Sequence, residues 1–287
     1  MWLIVGTMPE EHAGLETGEC HVRDGGLELP SGRMLPVARG TAALLGTAVL
    51  TCAHYGLPAP HAVLAGDIGT GAGSRTAYRY LTEHLASLRP QGITFHYLFP
   101  DVDWHNRVLM AAQSLEPQPL LVADAGFMYV AKMSGYADAY TLFTPDAGEM
   151  AFLADECAPH PFYTRGFLLD EAADVAELLE RARRHGNCPP YLIVKGAVDS
   201  IAGPAGIMET VAEPCVPAME AIGGTGDIIT ALVTVFLMRG DAVAEACLRA
   251  ARCGRRLAAL ANPTPATQIG ELLAFLPEAL RREGEGV

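Results

Sequence analysis

Apolar residues along this chain fall into short unbroken runs, separated by longer stretches with helical spacing. Runs at 3–5, 62–65, 93–98, 120–124, 141–143 and 191–195 have strand length, and several carry no alternation with polar residues. That pattern suits strands covered on both faces. Residues 41–55 predict a buried apolar helix, and 74–88 an amphipathic one with Leu81, Leu85 and Leu88 at helical spacing. Further helices are expected at 105–115, from 148 to 155, and over 171–185. Runs at 198–202 and 207–211, joined by Gly203-Pro204-Ala205-Gly206, predict a hairpin. From Asp227 to about residue 282 the chain reads as helical, with a break at Asn262-Pro263-Thr264-Pro265. Residues 9–36 are rich in Gly, Glu and Pro and predict an irregular excursion or a β-ribbon.

Strands alternating with helices imply an α/β fold: a mostly parallel sheet with helices on both faces, hence three layers. Ligands in such folds bind beyond the carboxyl ends of the strands. The polar residues expected there are Gly66-Asp67, Asp124, the segment 144–149, Lys195-Gly196 and the turn 223–227. Neither a repeat nor a long linker interrupts the chain, so residues 1–287 are expected to form one domain.

Composition narrows the field. Half of the 287 residues are hydrophobic and only 18% are charged, which supplies a large core and argues against disorder. The formal net charge of −13 opposes nucleic-acid binding, which needs a basic footprint. Seven scattered cysteines without a CxxC pair fit a reduced, cytoplasmic protein, with Cys247 and Cys253 as small helix-borne hydrophobes. The opening Met1-Trp2-Leu3-Ile4-Val5-Gly6 has no basic stretch and too short an apolar run for a signal peptide, and residues 42–53 are too few to span a bilayer. A small-molecule substrate is the expected partner.

The candidate chemistry centres on Gly223-Gly224-Thr225-Gly226-Asp227, followed by the apolar run 228–237. Glycines let backbone N–H groups approach a ligand, and a helix start adds unsatisfied donors and the positive end of a dipole. Asp227 can then accept a proton from a hydroxyl attacking a phosphoryl group, or merely cap the helix. In Thr144-Pro145-Asp146-Ala147-Gly148-Glu149, Asp146 and Glu149 can hold a hydrated Mg²⁺ or form a capping box. Lys195, ending a strand before Gly196, suits phosphate contact or a salt bridge to Asp124 or Glu149.

In order and spacing these pieces resemble the ribokinase-like superfamily, most of all its ADP- or ATP-dependent NAD(P)H-hydrate dehydratase branch. The resemblance rests on Leu121-Val122-Ala123-Asp124-Ala125-Gly126, then 144–149, then Ile193-Val194-Lys195-Gly196-Ala197, then Met219-Glu220-Ala221-Ile222-Gly223-Gly224-Thr225-Gly226-Asp227. Gly66-Asp67-Ile68-Gly69 takes the place of that family's Gly-Pro-Gly-Leu-Gly turn. The resemblance implies a ribokinase-like fold, ATP or ADP and Mg²⁺ as cofactors, and a homo-oligomer. It implies Asp227 as catalytic base, Gly223, Gly224, Thr225 and Gly226 as anion hole, and Lys195 on the nucleotide phosphates. Asp124, Gly66 and Asp67 would lie on the substrate side, and Glu149 with Asp146 on the metal side. One departure stands out: the dehydratase pattern has His-Pro and the sugar-kinase pattern Asn where this chain has Asp146-Ala147. Substrate identity is therefore open between hydrated NAD(P)H and a small alcohol or sugar.

Other readings have less support. Gly69, Gly71 and Gly73 follow a strand, but with GxGxG rather than GxGxxG spacing, and no Walker motif is present. Residues 159–166 suit a lid with an aromatic and an Arg, or an ordinary loop. Residues 101–106 suggest a helix capped by Asp103 rather than a metal cluster. A non-catalytic regulatory relative would bind nucleotide without turnover; the intact Asp227 argues against it.

Overall fold

The computed structural model describes residues 1–156 and 174–282. Its strands are β1 (Trp2–Met8), β2 (Leu15–Glu19), β3 (His21–Arg23), β4 (Gly26–Glu28), β5 (Met34–Pro36), β6 (His61–Gly66), β7 (Gly92–Phe95), β8 (Leu120–Ala123), β9 (Leu142–Phe143), β10 (Tyr191–Val194), β11 (Asp199–Gly203) and β12 (Gly206–Val211). Among the described residues these form a nine-stranded sheet in the order β12-β11-β10-β9-β8-β7-β1-β6-β2 and a small sheet β3-β4-β5. The strands from β10 across to β6 pair in parallel, while β2 and the β11–β12 hairpin close the edges antiparallel.

The helices are α1 (Gly40–Tyr55), α2 (Ala72–Leu88), α3 (Val102–Gln113), α4 (Gly126–Met133), α5 (Ala147–Ala154), α6 (Val175–Arg184), α7 (Thr225–Met238), α8 (Val243–Ala261), α9 (Ile269–Leu272) and α10 (Leu276–Arg281). Alternation along each strand divides them between two cores. Trp2, Ile4, Leu64, Val122 and Ile193 point to the face covered by α1, α7, α8 and α10. Leu3, Val5, Val63, Phe95 and Leu121 point to the face covered by α2 to α6. Three layers result, an α/β fold with a mostly parallel sheet, as the sequence implies. No helix among the described residues is long and apolar enough to cross a membrane.

The close approach of Trp2 to β7 makes a glycine necessary. A Cβ at Gly92 would come within 2.4 Å of the indole, whose Nε1 donates to Thr94 at 2.9 Å. Gly92→Ala is expected to destabilise the protein by about 1–3 kcal/mol through overpacking, read as a lowered urea midpoint.

Of the two alternatives for residues 9–36 the β-ribbon is found: β2 extends the main sheet, and the antiparallel β3–β5 place Leu27 and Leu35 on the first core. Other expectations need correction. Asp101, not Asp103, caps α3 by accepting from the Trp104 N–H, and the helix begins at Val102 rather than at 105. The strand expected over 93–98 stops at Phe95, because Tyr97 takes a left-handed φ of 50°. Helix α4 was not foreseen: no side chain caps it, and Gly126-Phe127-Met128-Tyr129-Val130 reads equally as strand. The segment 159–166, read as a lid or an ordinary loop, and residues 171–173 of the expected helix 171–185 lie outside the described residues.

Candidate active site

The carboxyl ends of the parallel strands deliver the site. Residues just beyond β7, β8, β9 and β10 are His96, Asp124, Thr144 and Lys195, and α7 brings its N-terminus against them. A cavity of about 750 Å³ opens there, lined among others by Asp124, Asp146, Glu149, Lys195, Gly224, Thr225, Gly226 and Asp227. Nearly the whole sequence-expected set thus converges on one space, and Gly223 directly precedes it in the chain. Gly66 and Asp67 do not line this cavity. The Asp67 carboxylate instead accepts hydrogen bonds from the N–H groups of Gly69, Gly71 and Ser74 and from the Ser74 hydroxyl. Burial alone would raise its pKa, but those donors outweigh burial and lower it. The glycines at 69–73 are explained locally: a Cβ at Gly73 would meet the Gly66 carbonyl.

The glycine turn has a steric reason. Gly224 adopts φ 98°, and a Cβ there would approach the Arg39 Cα to 2.9 Å. Gly226 lies beneath the Lys195 ammonium, which a Cβ would meet at 3.2 Å. Gly224, not Asp227, is the N-cap, so Asp227 sits in the first turn of α7 with its side chain free for other work. Its Oδ2 accepts from the Gly40 N–H at 2.6 Å, and its Oδ1 lies 3.0 Å from His96 Nε2. Sequence reasoning missed His96. The available signal was a polar ring at the carboxyl end of an otherwise apolar strand.

Asp124 is 1% exposed. Its Oδ1 accepts from Lys195 Nζ at 2.8 Å and its Oδ2 from the Thr230 hydroxyl at 2.5 Å. Burial pushes its pKa up, but the Lys195 charge and these hydrogen-bond donors more than compensate, so the carboxylate stays charged. Burial would likewise strip Lys195 of its proton, but Asp124, Glu149 and Asp227 hold it firmly as an ammonium. The two alternatives for Lys195 coexist: it makes the salt bridge and also faces the cavity beside the turn. Ala125, next to Asp124, takes φ 48° and ψ −140°, a strained backbone of the sort found where structure is fixed for function.

Asp146 and Glu149 form a complete capping box on α5: Asp146 Oδ1 accepts from the Glu149 N–H, and Glu149 Oε2 from the Asp146 N–H, both at 2.8 Å. Both also line the cavity. Burial, reinforced by Asp124 and Asp146 and opposed by Lys195, pushes Glu149 from 4.5 up to about 8. Between those values the unfolded chain has released the proton that the folded chain still binds. Stability is therefore lost as pH rises through this window. Glu149→Gln keeps the capping acceptor and should flatten that slope. The check is the urea midpoint of each protein at pH 5 and pH 8; parallel curves would refute it.

Chemically, the cavity holds an acceptor carboxylate, an ammonium and the donor-rich start of a helix, the parts needed to activate a hydroxyl and hold an anion. The sequence profile of the NAD(P)H-hydrate dehydratase family matches residues 102–275. An uncharacterized protein of Methanocaldococcus jannaschii is 35% identical over 238 residues, covering 83% of this chain and 98% of that one. The fold is similar to a Bacteroides thetaiotaomicron protein described as a phosphomethylpyrimidine kinase (TM-score 0.57, 17% identity, 97% and 93% of the two chains). It is also similar to the pyridoxal kinase of Staphylococcus aureus (TM-score 0.55, 13% identity, 88% and 86%). Phosphofructokinase-2 of Escherichia coli is a third such structure (TM-score 0.53, 12% identity, 98% and 99%). With well over half of its length matched by the family profile, the chain belongs to the NAD(P)H-hydrate dehydratase family.

Proposed function

We propose that this protein is a cytoplasmic ADP- or ATP-dependent NAD(P)H-hydrate dehydratase. The observation that carries the reading is Asp227 itself. Its carboxylate is held by the Gly40 N–H and His96 at the start of α7, within one cavity with Lys195. In this reading Asp227 takes the proton from the hydroxyl of the hydrated nicotinamide ring as its oxygen attacks the terminal phosphoryl group. The donors of residues 223–226 and the Lys195 ammonium stabilise charge developing on the phosphates. The P–O bond to the rest of the nucleotide breaks in that attack and the shortened nucleotide leaves. The ring nitrogen lone pair then expels phosphate with the former hydroxyl oxygen, and loss of a proton from the adjacent ring carbon to the departing phosphate gives the neutral dihydropyridine. Asp146 and Glu149 fit a hydrated magnesium ion, since each keeps one carboxylate oxygen outside the capping box. That ion would neutralise phosphate charge.

A second reading is a kinase of a small alcohol or sugar, since Asp146-Ala147 matches neither the dehydratase pattern's His-Pro nor the sugar-kinase pattern's Asn and leaves the substrate open. In that case the phosphate ester is the product. The test incubates purified protein with hydrated NADH and Mg²⁺, plus ATP or ADP, and follows recovery of NADH absorbance. Recovery with one nucleotide supports the dehydratase. No recovery with either sinks it, and phosphorylation of an added alcohol or sugar would then establish the kinase.

A further inference from the structure

Behind Asp227 stands a second buried polar pair that the proposed chemistry does not yet use. His96 has no exposed surface, and Thr41, in the first turn of α1, is 2% exposed. Thr41 Oγ1 lies 3.0 Å from His96 Nδ1, and His96 Nε2 lies 3.0 Å from Asp227 Oδ1 but 3.9 Å from the nearer Asp124 oxygen. The chain makes room for the pair at Gly6 of β1, where a Cβ would come within 2.5 Å of Thr41 Oγ1 and 2.7 Å of the His96 carbonyl.

The proton positions follow from counting donors and acceptors. Among the described residues the Thr41 hydroxyl has His96 Nδ1 as its hydrogen-bond partner. A buried hydroxyl proton needs an acceptor, so Thr41 donates and Nδ1 stays unprotonated. The imidazole is then neutral with its proton on Nε2, aimed at Asp227. The two neighbouring carboxylates are thereby told apart: Asp124 is occupied by Lys195 and Thr230, and Asp227 receives the histidine.

We propose that Thr41 and His96 form a positioning relay for Asp227. Thr41 selects the imidazole tautomer. His96 Nε2–H and the Gly40 N–H then fix one carboxylate oxygen each, so that the base meets the substrate hydroxyl in a single orientation. This rests on the reading of Asp227 as the base. His96 is a positioning residue in this scheme, never the proton's destination, because its one vacant nitrogen faces Thr41.

The test pairs a spectroscopic measurement on the resting protein with kinetics. In ¹⁵N-histidine-labelled wild type, His96 should show an unprotonated Nδ1 and a protonated, slowly exchanging Nε2, and Thr41→Val should erode that preference. A protonated Nδ1 in wild type would overturn the relay whatever the substrate proves to be, so its failure is separable from that of the dehydratase assignment. With hydrated NADH and nucleotide, His96→Leu should lower kcat by about 10–100-fold, as loss of an outer-shell partner does, with KM little moved. His96→Gln presents an N–H in the place of Nε2–H and should recover most of that loss; Thr41→Ser should do the same for Thr41→Val. If the Gln variant is as impaired as the Leu variant while both melt cooperatively, the hydrogen bond to Asp227 is not what His96 supplies and the proposal falls.

Discussion

Asp227→Asn is expected to leave nucleotide affinity near the wild-type value and to reduce kcat by about 10²–10⁴-fold, the contribution of a positioned general base. The substitution keeps size and shape, but an amide cannot take up the hydroxyl proton. The site is also built for two acceptor oxygens. Oδ1 and Oδ2 face His96 and the Gly40 N–H, so whichever position the amide nitrogen takes, one donor meets another donor. That mismatch should cost about 1–3 kcal/mol of stability, visible as a lower melting temperature. Isothermal titration with ATP and ADP, run beside the turnover assay, separates the two effects. A variant turning over at near wild-type rate would remove Asp227 from the role of base.

Lys195→Met should have the larger effect on folding. It removes the cation from a carboxylate that is 1% exposed and whose partners otherwise are the Thr230 hydroxyl, the Ala125 N–H and distant His96. Breaking a buried pair from one side costs about 3–5 kcal/mol, because the remaining charge is stranded. The pH dependence fixes the cause. In wild type the depressed Asp124 pKa contributes stability above the ordinary carboxyl value of 3.8, lost as pH falls through the still lower folded value. In the variant burial is opposed by the remaining hydrogen-bond donors without the lysine charge and Asp124 titrates higher, so the deficit relative to wild type should be greatest at neutral pH and shrink toward pH 4. Asp124→Asn combined with Lys195→Met should restore part of the stability and none of the turnover. A deficit that does not vary with pH would locate the damage in packing around the lysine stem instead.

What could be read from the sequence follows a physical division. Strands buried on both faces need continuous apolar runs, so β6, β8 and β10 are visible as Ala62-Val63-Leu64-Ala65, Leu120-Leu121-Val122-Ala123 and Tyr191-Leu192-Ile193-Val194. The turn before α7 is visible because close approach to Arg39 and Lys195 demands glycine there. Contacts between distant parts of the chain leave no such trace. His96 and Thr41 are 55 residues apart, and His96 and Asp227 are 131 apart; no local spacing encodes either pair. Gly66 and Asp67 were expected at the site from their place at a strand's carboxyl end and from the family's turn, but they do not line the cavity, and the Asp67 carboxylate is spent on its own loop. For Asp146, Glu149 and Lys195 the structural and chemical alternatives were posed as rivals, but a side chain can cap a helix or close a salt bridge with one face and line a cavity with another.

Helix α7 is buried from Asp227 to Leu237 and lies between α1 and α8. The cavity is also lined by Val216, Pro217 and Met219, and the 3₁₀ turn Pro217–Ala221 buries none of its residues. The two parts of the lining therefore differ in what a substitution costs the fold. A change beneath the glycine turn disturbs the core of the whole molecule, whereas a change on the 3₁₀ turn alters what can enter at little cost to folding. Under the proposed function, the phosphoryl chemistry would sit where substitution is expensive, and the 3₁₀ turn could vary at little cost to folding.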